Sequence, residues 1–343
     1  MKRPRVWTFV GPSLILVAVA IGGTFLTAGL QLQVRSILVV TAIVVSMYAF
    51  IGNSGVLSFG HISFVALGAF SAGLATAPAS VKPTTFPELL PFLADLQTGN
   101  IISLILAAVL GGIFAFLVGI PIMRLSGLSA GIATFAVLII TNNVFRNWEA
   151  IGPGAKTLSL IPTTTGFVQA TLGCLLVVGT AFAYQRSRFG RMLRAAREDA
   201  AAARSVGINI HHQRLIAFTL SGSLAGFSGG LLVHLLGSIN TQQVFLDLTF
   251  TTLAMLVVGG IGSLWGAVVG AVLISGVNSF LSEAERGMSV MGMNLNVPGG
   301  TRLVALGVLM LLVLALRPQG VTGSREMPWP LSRSPKHPSP PEQ

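Results

Sequence analysis

Residues 186–214, RSRFGRMLRAAREDAAAARSVGINIHHQR, form a basic, alanine-rich stretch between long apolar runs that contain almost no charge. The whole chain is 52% hydrophobic and only 9% charged, and its mean hydropathy is +0.81. These values lie outside the usual range of soluble proteins. The sequence therefore predicts an all-α polytopic membrane protein whose polar chemistry is concentrated in one loop, and that loop is where we expect a soluble partner to bind.

The apolar runs predict about ten membrane segments, some of them short or broken, because about 20 apolar residues cross a bilayer core. Two long runs are each divided by a glycine-containing stretch, GNSG at 52–55 and GGIG at 259–262. The segments are residues 8–29, 36–52, 58–77, 101–123, 128–145, 168–185, 215–237, 247–260, 263–281 and 298–316. We expect residues 1–322 to form one transmembrane domain. The basic, proline-rich residues 323–343 are expected to form a disordered cytoplasmic tail.

The distribution of positive charge predicts the orientation of these segments. An even number of crossings places both termini on one side, and Lys and Arg near membrane ends are retained in the cytoplasm. With the N-terminus inside, fifteen of the 21 Lys and Arg lie inside, where the net charge is +11, and six lie outside, where it is zero. The asymmetry predicts a multi-pass membrane protein with both termini cytoplasmic. Because the charge clusters beside membrane ends, it indicates orientation and not nucleic-acid binding.

The loop itself has the features of a short cytoplasmic helix. Residues 197–206 are rich in alanine, the strongest helix former, and Gly207 followed by Asn209 supplies a stop. A small alanine face fits a partner's groove, while charged side chains pair at its rim. The alternative is a solvated helix kept basic only for topology. The candidate partner-binding residues are Arg194, Arg197, Glu198, Asp199, Ala202, Arg204 and Gly207.

Polar residues inside the predicted segments are few. All ten acidic residues fall in loops, tails or segment ends, which disfavours a proton or sodium relay. Each remaining polar residue could line a pathway or could be a hydrogen-bonded packing residue. These candidates are His61, Asn142, Asn143, His234 and Asn278.

Glycine recurs at every fourth residue in two places. In lipid, small residues at this spacing let helix backbones approach closely. We expect both sets to form tight helix contacts with no direct role in transport. They are Gly222, Gly226 and Gly230, and Gly262, Gly266 and Gly270.

The sequence contains no recognisable catalytic, metal or nucleotide site. His211 and His212 lack acids at zinc-binding spacing. The stretch GPGAKT at 152–157 lacks the glycine that precedes lysine in phosphate-binding loops, and it falls in a predicted outer loop. We therefore expect no catalytic residue, no metal ligand and no cofactor on this chain. Any ATP hydrolysis is expected on another chain.

Three stretches, in order, resemble the LivM-type permease subunits of branched-chain amino-acid ABC transporters. They are residues 53–73 (NSGVLSFGHISFVALGAFSAG), residues 186–232, which extend the basic loop by LIAFTLSGSLAGFSGGLL, and residues 257–273 (VVGGIGSLWGAVVGAVL). The resemblance spans about residues 36–318 and implies the ABC importer permease fold of the LivM/LivH type. It implies that residues 198–207 are the coupling helix that docks on an ATPase. It also implies that Ser58, Gly60 and His61 contribute to the translocation core.

The resemblance further implies a multi-subunit importer. Its other parts are a second permease subunit, two ATPase subunits that hold ATP and magnesium, and an external solute-binding protein. The expected solute is small and polar, a branched-chain or related amino acid, although related permeases also serve urea, short amides and aromatic acids. One alternative is a secondary transporter or channel that acts alone, which broken segments also fit. A membrane-embedded enzyme or anchor is the other, and it would need catalytic groups that the sequence does not provide.

Overall fold

The computed structural model describes residues 4–80, 82, 88–151, 154, 156–285, 288–290, 293–295, 298, 300–317, 320–323 and 326. Its helices are α1 (Pro4–Thr24), α2 (Ala28–Ser54), α3 (His61–Thr76), α4 (Pro91–Asp95), α5 (Asn100–Ile122), α6 (Gly127–Asn147), α7 (Phe167–Arg186), α8 (Arg188–Glu198), α9 (Ala200–Ser205), α10 (Ile210–Leu236), α11 (Leu246–Gly259), α12 (Leu264–Glu285) and α13 (Thr301–Leu316). Between α12 and α13, β1 (Met288–Val290) pairs antiparallel with β2 (Met293–Leu295). The predicted all-α membrane architecture is confirmed, with this small hairpin added.

Seven of these helices are long and apolar enough to cross a membrane, namely α1, α2, α5, α6, α7, α10 and α12. Three others, α3, α11 and α13, have 16, 14 and 16 residues. Each of the ten predicted segments corresponds to one of these ten helices, in order. The boundary between the first two segments was predicted wrongly. The sequence placed it at residues 30–35, whereas α2 begins at Ala28 and continues through Arg35. The helix tolerates this charge because the Arg35 guanidinium lies 5.5 Å from the Phe167 ring centroid.

Helices α2 and α10 form the centre of the bundle. In the most apolar stretch of each of these two helices, nearly three quarters of the residues are buried, against about a third in α5 and α6. Helix α10 packs on α2, α3 and α5, while α7 and the α11–α12 pair pack on α2. The peripheral helices expose large apolar side chains such as Leu128 and Val168. An apolar exterior around a closely packed centre is what a lipid environment requires.

The first glycine set lies on the face of α10 that meets α5. A Cβ atom at Gly222 would overlap Ala115, one at Gly226 would overlap the Ala107 carbonyl, and one at Gly230 would come within 2.8 Å of Leu104. Such close approach is possible only without a side chain. Removing these glycines would therefore force α5 and α10 apart.

The second glycine set was predicted wrongly in one member. Gly262 lies in the turn before α12, because the Ser263 hydroxyl accepts a hydrogen bond of 3.2 Å from the Gly266 N–H and so caps a helix that begins at Leu264. Gly266 and Gly270 do line a tight contact. Their partner across that contact is Gly259 of α11.

The connections between helices gather at two opposite ends. At the end that holds residues 187–209, called the loop end below, the Arg214 guanidinium donates to the Leu125 carbonyl at 3.1 Å. At the opposite end, Leu158 pairs with Ile239. Successive membrane helices therefore alternate in direction, as the predicted topology requires.

Candidate coupling surface and translocation path

The basic loop forms two short helices, α8 and α9, and not the single helix predicted over 197–206. The break is at Asp199, whose backbone is extended and whose Oδ1 accepts hydrogen bonds from the Ala201 and Ala202 N–H groups at 2.8 and 3.0 Å. An aspartate that caps the following turn in this way ends the preceding helix. The stop is at Gly207, which has a φ of +83°.

One face of α9 is anchored and the other is free. Ala203 is buried against Ala196 and Ile210. Five of the exposed residues of this region form what we call the coupling surface: Ala201, Ala202, Arg204, Val206 and Gly207. Glu198 and Asp199 are also exposed beside it. Most side chains of the coupling surface are small and uncharged, which suits a helix that packs into a groove of a partner.

Two of the predicted rim residues, Arg194 and Arg197, are exposed and also make hydrogen bonds to the membrane helices. The Arg197 Nη1 donates a hydrogen bond of 2.6 Å to the Gly52 carbonyl near the end of α2. Arg194 donates to the Gln185 carbonyl at the end of α7. Gly55 lies against the Arg197 side chain, where a Cβ atom would come within 3.0 Å. The two arginines therefore connect the loop to membrane helices.

A C-terminal segment also docks at the loop end. The N–H groups of Val321 and Thr322 donate to the carbonyls of Val258 and Gly259 at 2.8 and 3.2 Å. The Glu326 carboxylate accepts hydrogen bonds of 3.1 Å from the Leu264 N–H and from the Ser263 hydroxyl, and so it lies at the start of α12.

Burial raises the pKa of the Glu326 carboxyl above its usual range, and these hydrogen bonds oppose the rise. Within the tail that was predicted to be disordered, Glu326 therefore has defined contacts with the start of α12. Residues 327–343 of that tail lie outside the described residues.

His61 is the centre of a closed hydrogen-bond cluster. Its Nδ1 lies 2.8 Å from the Ser58 Oγ and its Nε2 lies 2.7 Å from the Ser221 Oγ. The Ser221 hydroxyl donates to the Ser46 carbonyl at 2.6 Å. Ser221 must therefore accept from Nε2–H, which leaves Nδ1 to accept from Ser58.

This imidazole is fully buried, and the rings of Phe50, Phe64 and Phe218 have their centroids within 5.8 Å of it. Gly60, directly before α3, lies against the Thr134 carbonyl, where a Cβ atom would overlap. With every hydrogen-bonding group used inside the protein, the cluster joins α2, α3 and α10. It presents no free polar atom to a solute.

His234 has a similar place near the opposite end. Its ring nitrogens lie 2.9 Å from the Ser103 Oγ and 3.2 Å from the Pro162 carbonyl. It is fully buried and joins α10 to α5 and to the loop before α7. These contacts favour the packing interpretation for His234.

The three predicted asparagines have different surroundings. Asn143 is exposed on α6. Asn142 donates to the Thr241 carbonyl at 3.1 Å and borders a cavity of about 10 Å³, enough for one water molecule. Asn278 lines a cavity of about 130 Å³ between α2, α11 and α12, which we call the polar cleft.

The polar cleft contains residues that the sequence did not single out. Its polar lining consists of Ser36, Asp247, Thr251, Ser275, Asn278 and Ser279. A signal was present, since Asp247 and Thr251, like Ser275 and Ser279, are four residues apart and so share a helix face. The cleft brings one exposed carboxylate together with hydroxyl and amide groups, a set that suits a small polar solute with a hydrogen-bond donor or a positive charge.

Comparison with known proteins agrees with this architecture. The family model described as "Branched-chain amino acid transport system / permease component" matches residues 30–314. The LivM permease protein of the high-affinity branched-chain amino acid transport system of Salmonella typhimurium is 25% identical, over 89% of this chain and 73% of its own length. The Escherichia coli LivM protein is 26% identical over 79% of this chain and 64% of its own length, so the chain spans just under two thirds of that relative.

A probable LivH permease protein of Methanocaldococcus jannaschii is 30% identical over 46% of this chain and 48% of its own length. No solved structure matches the chain. The family model covers most of the chain, including nearly all of α2, residues 187–209 and the α11–α12 turn. The chain belongs to the family of permease components of branched-chain amino acid transport systems.

Proposed function

We propose that this chain is the transmembrane permease subunit of an ATP-driven importer. A binding protein on the outer side delivers a small polar solute, a branched-chain or related amino acid, and the permease passes it to the cytoplasm. Support comes from the family model and from relatives that are named as permeases of branched-chain amino acid transport systems. ATP and magnesium are held by two partner ATPase subunits, and a LivH-like or identical second permease completes the path.

The observation that carries the coupling mechanism is the hydrogen bond between Arg197 and the Gly52 carbonyl. Gly52 also packs on Ile261 in the turn between α11 and α12. A displacement of the loop is therefore passed to α2, α11 and α12 together. These same three helices line the polar cleft towards their opposite ends.

The proposed cycle uses this arrangement directly. ATPase closure moves the coupling surface, and the hydrogen-bonded loop moves α2 against the α11–α12 pair. The polar cleft then switches from facing the outer side to facing the cytoplasm. An ATPase can shift such an equilibrium only through contacts that differ between the two states, and the coupling surface supplies them. With the loop end cytoplasmic, both termini lie inside, in agreement with the charge asymmetry.

The docking step is tested by Ala202→Trp, because Ala202 is exposed on the coupling surface. We expect a permease that folds normally but co-purifies with at least tenfold less ATPase, since a bulky ring cannot enter the same groove. Gln242→Trp, at an exposed position of the opposite end, is the matched control. Undiminished association and uptake in the Ala202 variant would overturn the docking role.

The stand-alone alternative is tested in liposomes that contain the purified permease without ATPase. We expect no accumulation of solute against its gradient, because the described helices present no buried acidic relay. Accumulation driven by an ion gradient alone would favour a secondary transporter.

A further inference from the structure

A strongly basic pocket of about 480 Å³ lies at the loop end, beside the coupling surface. It is bounded by the turn between α5 and α6, by α9 and by the start of α10. Its charged or titratable lining residues are Arg124, Arg204, Arg214 and His211, and the ten residues that line it include no carboxylate. The nearest acid in sequence, Asp199, uses its Oδ1 to cap α9.

Two of these basic residues have defined surroundings at the pocket, Arg214 and His211. Arg214 is held at the pocket because its Nη1 donates to the Leu125 carbonyl at 3.1 Å. His211 Nδ1 is buried and has no hydrogen-bond partner among the described residues. Three like charges around one pocket repel each other, and an unpartnered buried nitrogen costs free energy. Both costs are offset when an anion with several acceptor oxygens occupies the pocket.

The surroundings of the pocket identify the source of that anion. Leu125, beside Arg124, is 40% exposed, and Leu128 and Ile132 on the adjoining face of α6 are 79% and 62% exposed. The last two are four residues apart, so they form a continuous apolar stripe that leads away from the pocket. A basic pocket with an adjoining apolar stripe on the cytoplasmic side matches the headgroup and acyl chain of a lipid.

We propose that this pocket binds the phosphate of an anionic phospholipid of the inner leaflet, with the acyl chains along Leu128 and Ile132. The site is separate from most of the coupling surface, because Ala201, Ala202, Val206 and Gly207 do not line it. Arg204 alone belongs to both. A bound lipid therefore supports α9 from the membrane side and leaves the coupling surface free for its partner.

The test uses the full-length permease, purified without ATPase and mixed with equal amounts of phosphatidylglycerol and phosphatidylcholine, with bound lipids counted by native mass spectrometry. We expect one tightly retained phosphatidylglycerol, and at least about tenfold weaker retention in the double variant Arg124→Gln and Arg214→Gln. Arg191→Gln, an exposed arginine of α8 outside the pocket, is the matched control and should retain the lipid. The thermal unfolding midpoint of each variant shows whether it has folded, and the single variant Arg124→Gln, on an exposed turn, replaces the double variant if that one fails.

Three results would overturn the proposal. Equal loss in the Arg191 variant would show that any surface arginine attracts the lipid. Complete displacement by millimolar inorganic phosphate would show a site for a free anion, without acyl contacts. Displacement of the lipid by the assembled ATPase, together with loss of ATPase binding in the double variant, would assign the pocket to acidic side chains of that partner.

Discussion

The guanidinium of Arg197 and the backbone carbonyl of Gly52 are 2.6 Å apart, although 145 residues separate them in the chain. The contact joins the basic loop to the end of a central helix. A carbonyl near a helix C-terminus lacks a partner within the helix, and a cationic donor satisfies it well. The loop is therefore fixed to the bundle by its charges, while its alanine-rich face stays outside.

Arg197→Met tests this connection, because it keeps much of the aliphatic side chain and removes the donor. Loss of a hydrogen bond from a charged group costs about 1.5–3 kcal/mol, so we expect at least about tenfold slower uptake by the reconstituted importer. ATPase association should persist, because Ala202 and its neighbours are untouched. Arg191→Met, on the same loop and exposed, should transport normally. Equal uptake by the two variants would refute the mechanical role of Arg197.

Glu326 gives the protein a defined pH response. Its folded pKa is raised by burial, so the folded state holds the proton more tightly than the unfolded state does. This contribution to stability is present at low pH and is lost as the pH rises from the usual range of glutamate through the raised value. We expect the unfolding midpoint of the wild type in detergent to fall across that window relative to Glu326→Gln, which keeps an acceptor oxygen but does not titrate. Parallel pH profiles for the two proteins would contradict the prediction.

Gly226→Val should strongly destabilise the bundle. The new side chain would meet the backbone of α5 at Ala107 and Gly111, where nothing flexible can move aside, and overpacking of this kind costs about 3 kcal/mol. Gly276→Val is the control, because a Cβ atom there meets no atom within 4 Å. It should change stability by less than about 0.5 kcal/mol, since valine and glycine differ little in helix propensity. Thermal unfolding in detergent distinguishes the two variants.

His61→Ala tests whether the buried imidazole is a packing residue or lines the solute path. The substitution leaves the Ser58 hydroxyl without its acceptor and opens a cavity among aromatic rings, and together these cost about 3 kcal/mol. We expect a lower unfolding midpoint but unchanged solute selectivity per folded transporter. A selectivity change with no loss of stability would instead place His61 in the path.

For Asn278→Ala, in the polar cleft, we expect an effect on transport and not on stability. Asn278 is only half-buried and lines a cavity of about 130 Å³, so its truncation should have little effect on the unfolding midpoint. If solute passes the cleft, we expect at least about fivefold slower uptake, by loss of roughly one hydrogen bond. Asn143→Ala, at an exposed position on α6, is the control.

The membrane helices could be predicted because each is marked by a continuous apolar stretch of the sequence itself. A run of apolar residues predicts its own helix wherever it lies in the fold, so even the 14-residue α11 was found in its proper place. Alanine propensity alone does not predict the break between α8 and α9, because the break is made by the Asp199 side chain. Local hydrogen bonding of that kind overrides propensity.

Other features depend on contacts between distant parts of the chain. Glu326 accepts a hydrogen bond from the N–H of Leu264, which is 62 residues away in the chain. The sequence around Glu326 contains no pattern that predicts this contact. The hydrogen bonds of Arg194 and Arg197 likewise depend on where α7 and α2 end. The sequence predicts that the polar residues are concentrated in this loop. It does not predict which of the loop arginines bind carbonyl groups of the membrane helices.

The shortness of α11 has a consequence for the bilayer itself. Fourteen residues at a rise of about 1.5 Å each give about 21 Å, whereas a hydrocarbon core is about 30 Å thick. The helix alone therefore covers about two thirds of the core, and the remaining depth at its first end is left to the non-helical residues before it, of which Ile239, Thr241 and Val244 are buried inside the protein.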